Sequence, residues 1–260
     1  MIALDFGLGT VEQEFWRMVF LMTRIGAALV AAPFFGAASV PMTVRVAMTG
    51  ALAIFVAAWL PVAAPPALLS VDGLLAVAGE VLVGLTLGFV LQIAFAAPTI
   101  AAELIGGGMG MSMAVAADPS SGGSTTAFGQ YFTIVLTLIF LALGAHLHWI
   151  GLVVESYRAF PPGETWLGAG RFELVVSFAG TMFETAVRIA LPVTLVLLLV
   201  QILTGVLSRS APALNLFALG LPAGVLAGIA ALIIAAPMLY DQFEDLVSVS
   251  LDQTERVLLR

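Results

Sequence analysis

The chain has no lysine and no cysteine, and charged residues of every kind make up only 10% of its 260 positions. Each absence excludes some chemistry. Without lysine there is neither a Walker-type phosphate loop nor a Schiff-base amine. Without cysteine there are no disulfides, thiolate metal sites or thiol nucleophiles, and the redox compartment stays open. The nine basic residues are all arginine, scattered among sixteen carboxylates, and a net charge of -7 leaves no basic patch to neutralise phosphates. That balance excludes nucleic acid as a partner.

The scarcity of charge is matched by an apolar content of 61% and a mean hydropathy of +1.12. A soluble globular chain carries roughly a quarter charged residues. This one has too few to cover a water-facing surface, so lipid or other apolar chains must be its main solvent. The reading is an all-α integral membrane protein. A hydrocarbon core about 30 Å thick takes roughly 20 helical residues, and six stretches meet that length: residues 15–36, 44–63, 74–102, 128–154, 174–207 and 213–240. The acidic lead before the first (Asp5, Glu12, Glu14) lacks the basic start of a cleavable signal, so the first segment is expected in the mature protein.

Connections carry their own signals. Pro61, Pro65 and Pro66 close the second segment, and Asp72 is expected to cap the third. Residues 158–173, with Pro161, Pro162, Gly163 and Trp166, suit an interfacial turn with an aromatic anchor. From Asp241 to Arg260 the chain turns acidic and amphipathic, which predicts a helical tail in water or against a partner. Too few arginines lie in short loops to set an orientation. No period of 20 to 50 residues repeats.

Ionisable groups inside apolar segments each cost about 2.5–3.5 kcal/mol at a bilayer centre, so they are the first candidates for function. They are Arg24, Arg45, Glu80, Glu103, Glu184 and Arg188. Glu184 and Arg188 are four apart and can pair on one helix face, whereas Arg24 and Arg45 have no local partner. Two readings stand: a proton or ion relay, or ion pairs and hydrogen bonds that fix helix packing. His146 and His148 point about 200° apart on a helix and cannot chelate one ion there, so an interfacial cluster with Trp149 is the simpler reading. Ser121 and Ser124 sit among glycines without the G-x-S-x-G spacing of a nucleophile elbow. No cofactor site is read, and an enzyme is the weaker hypothesis.

Small residues recur at four-residue spacing in Gly84 with Gly88 and in Gly220, Gly224 and Gly228, which marks helix association faces. The most unusual stretch is residues 103–123. Gly106, Gly107, Gly108 and Gly110 each disfavour helix by about 1 kcal/mol relative to alanine, so a break is expected there. Irregular backbone at membrane depth is tolerated where it lines a cavity or is buried in protein. Met109, Met111 and Met113, flexible and polarizable, suit a deformable seal or an ordinary packed re-entrant loop.

Several motifs occur together in order: Arg24, then Pro33-Phe34-Phe35-Gly36, Pro41 and Arg45; Glu103-Leu104-Ile105-Gly106, Met109-Gly110, Met113 and Asp118-Pro119; then His148, Arg209, Pro212, Asn215, Gly220 and Pro222. In that order and spacing the chain resembles the type III secretion export-gate family, and within it the flagellar, FliR-type branch. The likeness covers nearly all of residues 1–260, as a single export-gate domain. Gly108 and Ala213 stand where the resemblance leads one to expect glutamine, so side-chain hydrogen-bond donors are missing at positions that the resemblance implies as partner contacts.

The resemblance implies a non-enzymatic pore subunit of the bacterial inner membrane, in the flagellar basal body. It implies broken helical hairpins packed with FliP and FliQ, with FlhA and FlhB elsewhere in the apparatus, and unfolded proteins as the exported cargo. It also implies that the glycine and methionine stretch plugs the closed channel. Two alternatives come from the residues themselves. One is a secondary transporter built on Glu80, Glu103, Glu184 and Arg188 with a broken segment from Pro98 to Gly110. The other is an intramembrane hydrolase using Ser121 or Ser124.

Overall fold

The structure is a computed structural model that describes residues 10–60, 70–111, 127–163, 169–210 and 216–259. Among the described residues are seven helices and no strand: α1 Thr10–Ala31, α2 Met42–Trp59, α3 Val71–Gly108, α4 Ala127–Ala142, α5 Ala145–Ala159, α6 Ala169–Ser210 and α7 Leu216–Leu259. The protein is an all-α membrane protein.

Helix ends follow local chemistry. After α1 the Pro33-Phe34-Phe35-Gly36 turn folds back so closely that a β-carbon on Gly36 would collide with the carbonyls of Val30 and Ala32. Arg45 then reaches back from α2 and donates to the carbonyls of Gly36 and Ala37, which holds the turn shut. The expected cap of α3 is displaced by two residues. Ser70, not Asp72, accepts the Gly73 N–H at 3.0 Å. Asp72 lies in the first turn, where its charge suits the helix dipole.

Hydropathy misplaced several boundaries. The fourth segment is two helices: α4 and α5 meet at a 72° bend, made at Gly144, whose φ of +67° is open to glycine at little cost. Helices α3, α6 and α7 run on through Pro98, Pro192, and Pro222 and Pro237, to 38, 42 and 44 residues. At 1.5 Å per residue α6 and α7 reach about 63 and 66 Å, twice the thickness of a hydrocarbon core. The acidic tail is therefore the continuation of α7. Its apolar stripe, including Phe243, Leu246, Val257 and Leu258, is buried within the chain, and Gln253 donates to the Leu174 carbonyl at 2.8 Å.

By length and composition α2, α3, α6 and α7 can each cross a membrane, and the bent pair α4 and α5 makes up to five. The first expected segment, residues 15–36, lies mostly in α1, which carries Glu14, Arg17 and Arg24 and does not qualify.

The chain packs as two compact units. The first comprises Met1–Ala94, Gly144–Ala179 and Ser248–Arg260, the second Phe95–Leu143 and Gly180–Val247. In the first, Phe20, Leu21, Ile25 and Ala28 of α1 are buried with Val83, Leu87 and Leu91 of α3. In the second, Phe132 meets Phe243 edge-on with ring centroids 5.6 Å apart, Phe95 meets Phe140 likewise, and Thr99 and Thr133 share a hydrogen bond at 3.3 Å.

Candidate functional site

The first unit is organised around one arginine. Arg24 and Glu80 are both fully buried. Nε of Arg24 donates to Oε2 of Glu80 at 2.7 Å and Nη2 to Oε1 at 2.9 Å, a bidentate pair between α1 and α3. Nη1 donates to the Ser156 carbonyl at 2.8 Å and to its hydroxyl at 3.2 Å, and Nη2 also donates to the Phe160 carbonyl at 2.9 Å. A guanidinium has five N–H donors. Every one is used, so none is left for a passing ion.

That geometry explains how an apolar chain keeps a buried charge. The two carbonyls close the C-terminal turn of α5, where partial negative charge collects and a cation is favoured. Arg24 caps α5 from another helix, while α5's own Arg158 lies on the surface paired with Glu155 at 2.9 Å. The Tyr157 ring lies over the guanidinium at 4.1 Å, a cation–π contact. The Tyr157 hydroxyl donates to the Leu21 carbonyl at 2.7 Å.

Glycine sets how close α1 and α3 come. A β-carbon on Gly84 would run into the Arg24 carbonyl oxygen and lie 2.9 Å from the Ala27 β-carbon, and one on Gly88 would lie 2.6 Å from that of Ala31. The Gly84 and Gly88 face is thus an association face within this chain. Trp149 of α5, wholly buried, donates its indole N–H to the Leu87 carbonyl at 3.3 Å and stacks on Phe35 at 5.9 Å.

In the second unit the glycine stretch differs from its expected break. Gly106, Gly107 and Gly108 remain helical, and α3 runs to Gly108, past the expected end of the third segment at residue 102. Gly110 takes a left-handed φ of +84°. Its N–H bonds to the Gly107 carbonyl, and the Met111 N–H to the Gly106 carbonyl, each at 3.0 Å. These are the two bonds of a Schellman cap. Met109 is buried and Met111 half-buried, while Met113, Asp118, Pro119, Ser121 and Ser124 lie outside the described residues.

The remaining sequence-derived residues are spread through the chain. Glu184 and Arg188 pair at 2.7 Å as their spacing suggests, but at 68% and 61% exposed they are not buried within this chain. Glu103 is likewise exposed and Arg45 half-buried. Burial was expected because each lies in an apolar run, yet a helix in such a run turns one face away from its own chain. An exposed i, i+4 pair contributes about 0.3–0.5 kcal/mol, so Glu184→Arg should barely change the melting temperature of the isolated chain. A shift of several degrees in thermal unfolding would refute that reading.

Pro33, Phe34, Phe35 and Gly36 are half-buried in the turn after α1, whereas Pro41, Arg209 and Pro222 are exposed and Gly220 is half-buried. Pro212 and Asn215 lie outside the described residues, as does Trp166. His146 is half-buried and His148 exposed at the start of α5. Among the described residues no three metal-ligating side chains come together.

Sequence reasoning had singled out both Arg24 and Glu80 but had not paired them. It missed Ser156, Tyr157 and Gln201, whose Nε2 donates to the Gly108 carbonyl at 2.9 Å. The usable signal for the first pair was that two opposite charges without neighbours in apolar helices need each other.

Comparison with known proteins agrees with this architecture. Residues 15–249 match the family described as bacterial export proteins, family 1. The chain is 31% identical over 248 residues to the flagellar biosynthetic protein FliR of Pectobacterium carotovorum, covering 95% of this chain and 93% of that one. It is 30% identical to FliR of Escherichia coli K12, over 93% and 90% of the two chains. It is 27% identical to FliR of Bacillus subtilis, over 96% and 98%. With one match running through both the arginine centre and the capped glycine turn, the chain belongs to the bacterial export proteins of family 1, beside the flagellar FliR proteins.

Proposed function

We propose that this chain is a non-enzymatic subunit of the gateway pore of a flagellar protein export apparatus in the bacterial inner membrane. It assembles there with FliP and FliQ, beside FlhA and FlhB, and passes unfolded proteins. The observation that carries the reading, added to family membership, is the apolar face left open on α6 and α7. Leu199, Leu203, Ile233 and Ile234 are 62%, 62%, 70% and 81% exposed. Surfaces of that kind mark contact with lipid or partner chains. On the same reading the stretch from Gly106 to Gly123 helps to seal the closed channel.

Co-purification in mild detergent tests the assembly. A discrete complex with FliP and FliQ is the expected result, and a chain that purifies alone from cells expressing all three would refute it. Deleting Gly106–Gly110 tests the seal. Small-ion leakage through the assembled complex should rise by about tenfold or more, the effect of removing roughly 1.4 kcal/mol from a closed state. Unchanged conductance would remove the sealing role and leave the assembly role standing.

A further inference from the structure

We infer that Met109 is the positioning residue of the glycine turn, seated on α7 so that the end of α3 stays moored while the gate opens and closes. This rests on the sealing role proposed above. Three consecutive residues carry the argument, because each is met by another helix.

At Gly108, the carbonyl accepts from Gln201 of α6 at 2.9 Å, and a β-carbon would lie 3.0 Å from a methyl of Leu197. Met109 is 1% exposed. A β-carbon on Gly228 of α7 would overlap the methyl of Met109 and lie 2.7 Å from its Cγ and 3.0 Å from its sulfur. One on Gly224 would lie 3.3 Å from the Met109 carbonyl oxygen. At Gly110, with its left-handed backbone, Leu221 of α7 is 3.3 Å from where a β-carbon would be.

Gly228 therefore forms the seat for the thioether, where a larger residue would displace it, while Gly224 lets the Met109 backbone lie close against the same helix. A flap that swings clear would keep a free surface and a loose backbone. Here the two Schellman bonds satisfy the helix end, a side-chain amide holds it from α6, and an unbranched apolar side chain fills the gap on α7. This is how a post is built. Deformation during passage of cargo then falls on other parts of the pore, and the glycines at 106, 107 and 108 serve close packing more than motion.

Because the chain has no cysteine, Met109→Cys with Gly228→Cys supplies its only thiol pair. The 2.7 Å contact of Met109 Cγ puts the two β-carbons near the roughly 3.5–4.5 Å that a disulfide needs. In the complex assembled with FliP and FliQ, oxidation should close this intrachain bond and leave export within about twofold of the reduced complex. Loss of export on oxidation, recovered with reductant, would overturn the mooring.

Single variants give a second, independent reading. Met109→Ala should raise resting leakage by about tenfold at unchanged complex yield, and Met109→Leu, which refills the seat, should stay close to the native level. If both variants stay tight while deletion of Gly106–Gly110 leaks, the mooring is wrong and the seal stands. If the deletion does not leak either, the seal itself fails and the mooring with it.

Discussion

Replacing Arg24 with methionine is expected to destabilise the chain by about 3–5 kcal/mol and to remove most of it from the membrane. The variant leaves the Glu80 carboxylate buried without its bidentate partner. It also strips the carbonyls of Ser156 and Phe160 of a donor at the C-terminal end of α5. Since a folded domain is stable by only about 5–15 kcal/mol, that loss is a large share of the total. Full-length protein in membranes and unfolding temperature in detergent measure it.

Two further variants separate the contributions. Arg24→Met with Glu80→Met removes both charges and should recover part of the loss, because two well-packed apolar groups avoid the desolvation that an unpaired ion suffers. The exchange Arg24→Glu with Glu80→Arg should recover none. It keeps an ion pair but points a carboxylate at two carbonyl oxygens. A stable exchange variant would show that the pair matters only as a pair, and that the capping of α5 from α1 is unimportant.

Valine at Gly84 or Gly88 should be nearly as damaging, at about 3 kcal/mol or more. At Gly84 the added atoms meet the Arg24 and Ala28 backbone, and at Gly88 they meet that of Ala28 and Ala31. Backbone cannot swing aside as a long side chain can, so α1 must move away from α3, which would pull Arg24 from Glu80. Gly180 is the control. It lies inside α6 with nothing of its own chain within 4 Å of an added β-carbon. Alanine there should stabilise the isolated chain by about 0.5–1 kcal/mol, the usual gain over glycine in a helix. Equal melting temperatures for the Gly84 and Gly180 variants would count against the close approach.

Much of the fold was legible because its signals are local. Runs of apolar residues long enough to span, proline clusters after Leu60 and at Pro161-Pro162, and the Glu184 and Arg188 spacing all report on neighbours in the chain. The errors came where local signals compete. Four glycines within five positions argued for a broken helix, yet three of them stay helical because Leu197 and Gln201 pack against the turn. The uninterrupted apolar run from residue 128 to 154 argued for one straight span. A single left-handed Gly144 bends it by 72°, and composition does not register a change of direction. The candidate site was half legible: Arg24 stood out as costly, but its partners lie 56, 132 and 136 positions away.

What the sequence alone determined is the solvent and the class. With 10% charged residues and 61% apolar ones, the chain needs an apolar environment and a hydrogen-bonded backbone within each segment, and the helix meets both needs. Its motifs placed it near the export-gate family. Tertiary structure decided which costly groups meet. Whether Arg24 is a relay or a tie, and whether Met109 faces a channel or a neighbouring helix, depends on which helices touch and how near they come. Those distances are set by the absence of a side chain at Gly84, Gly88, Gly224 and Gly228, and by hydrogen bonds that only a folded chain can close.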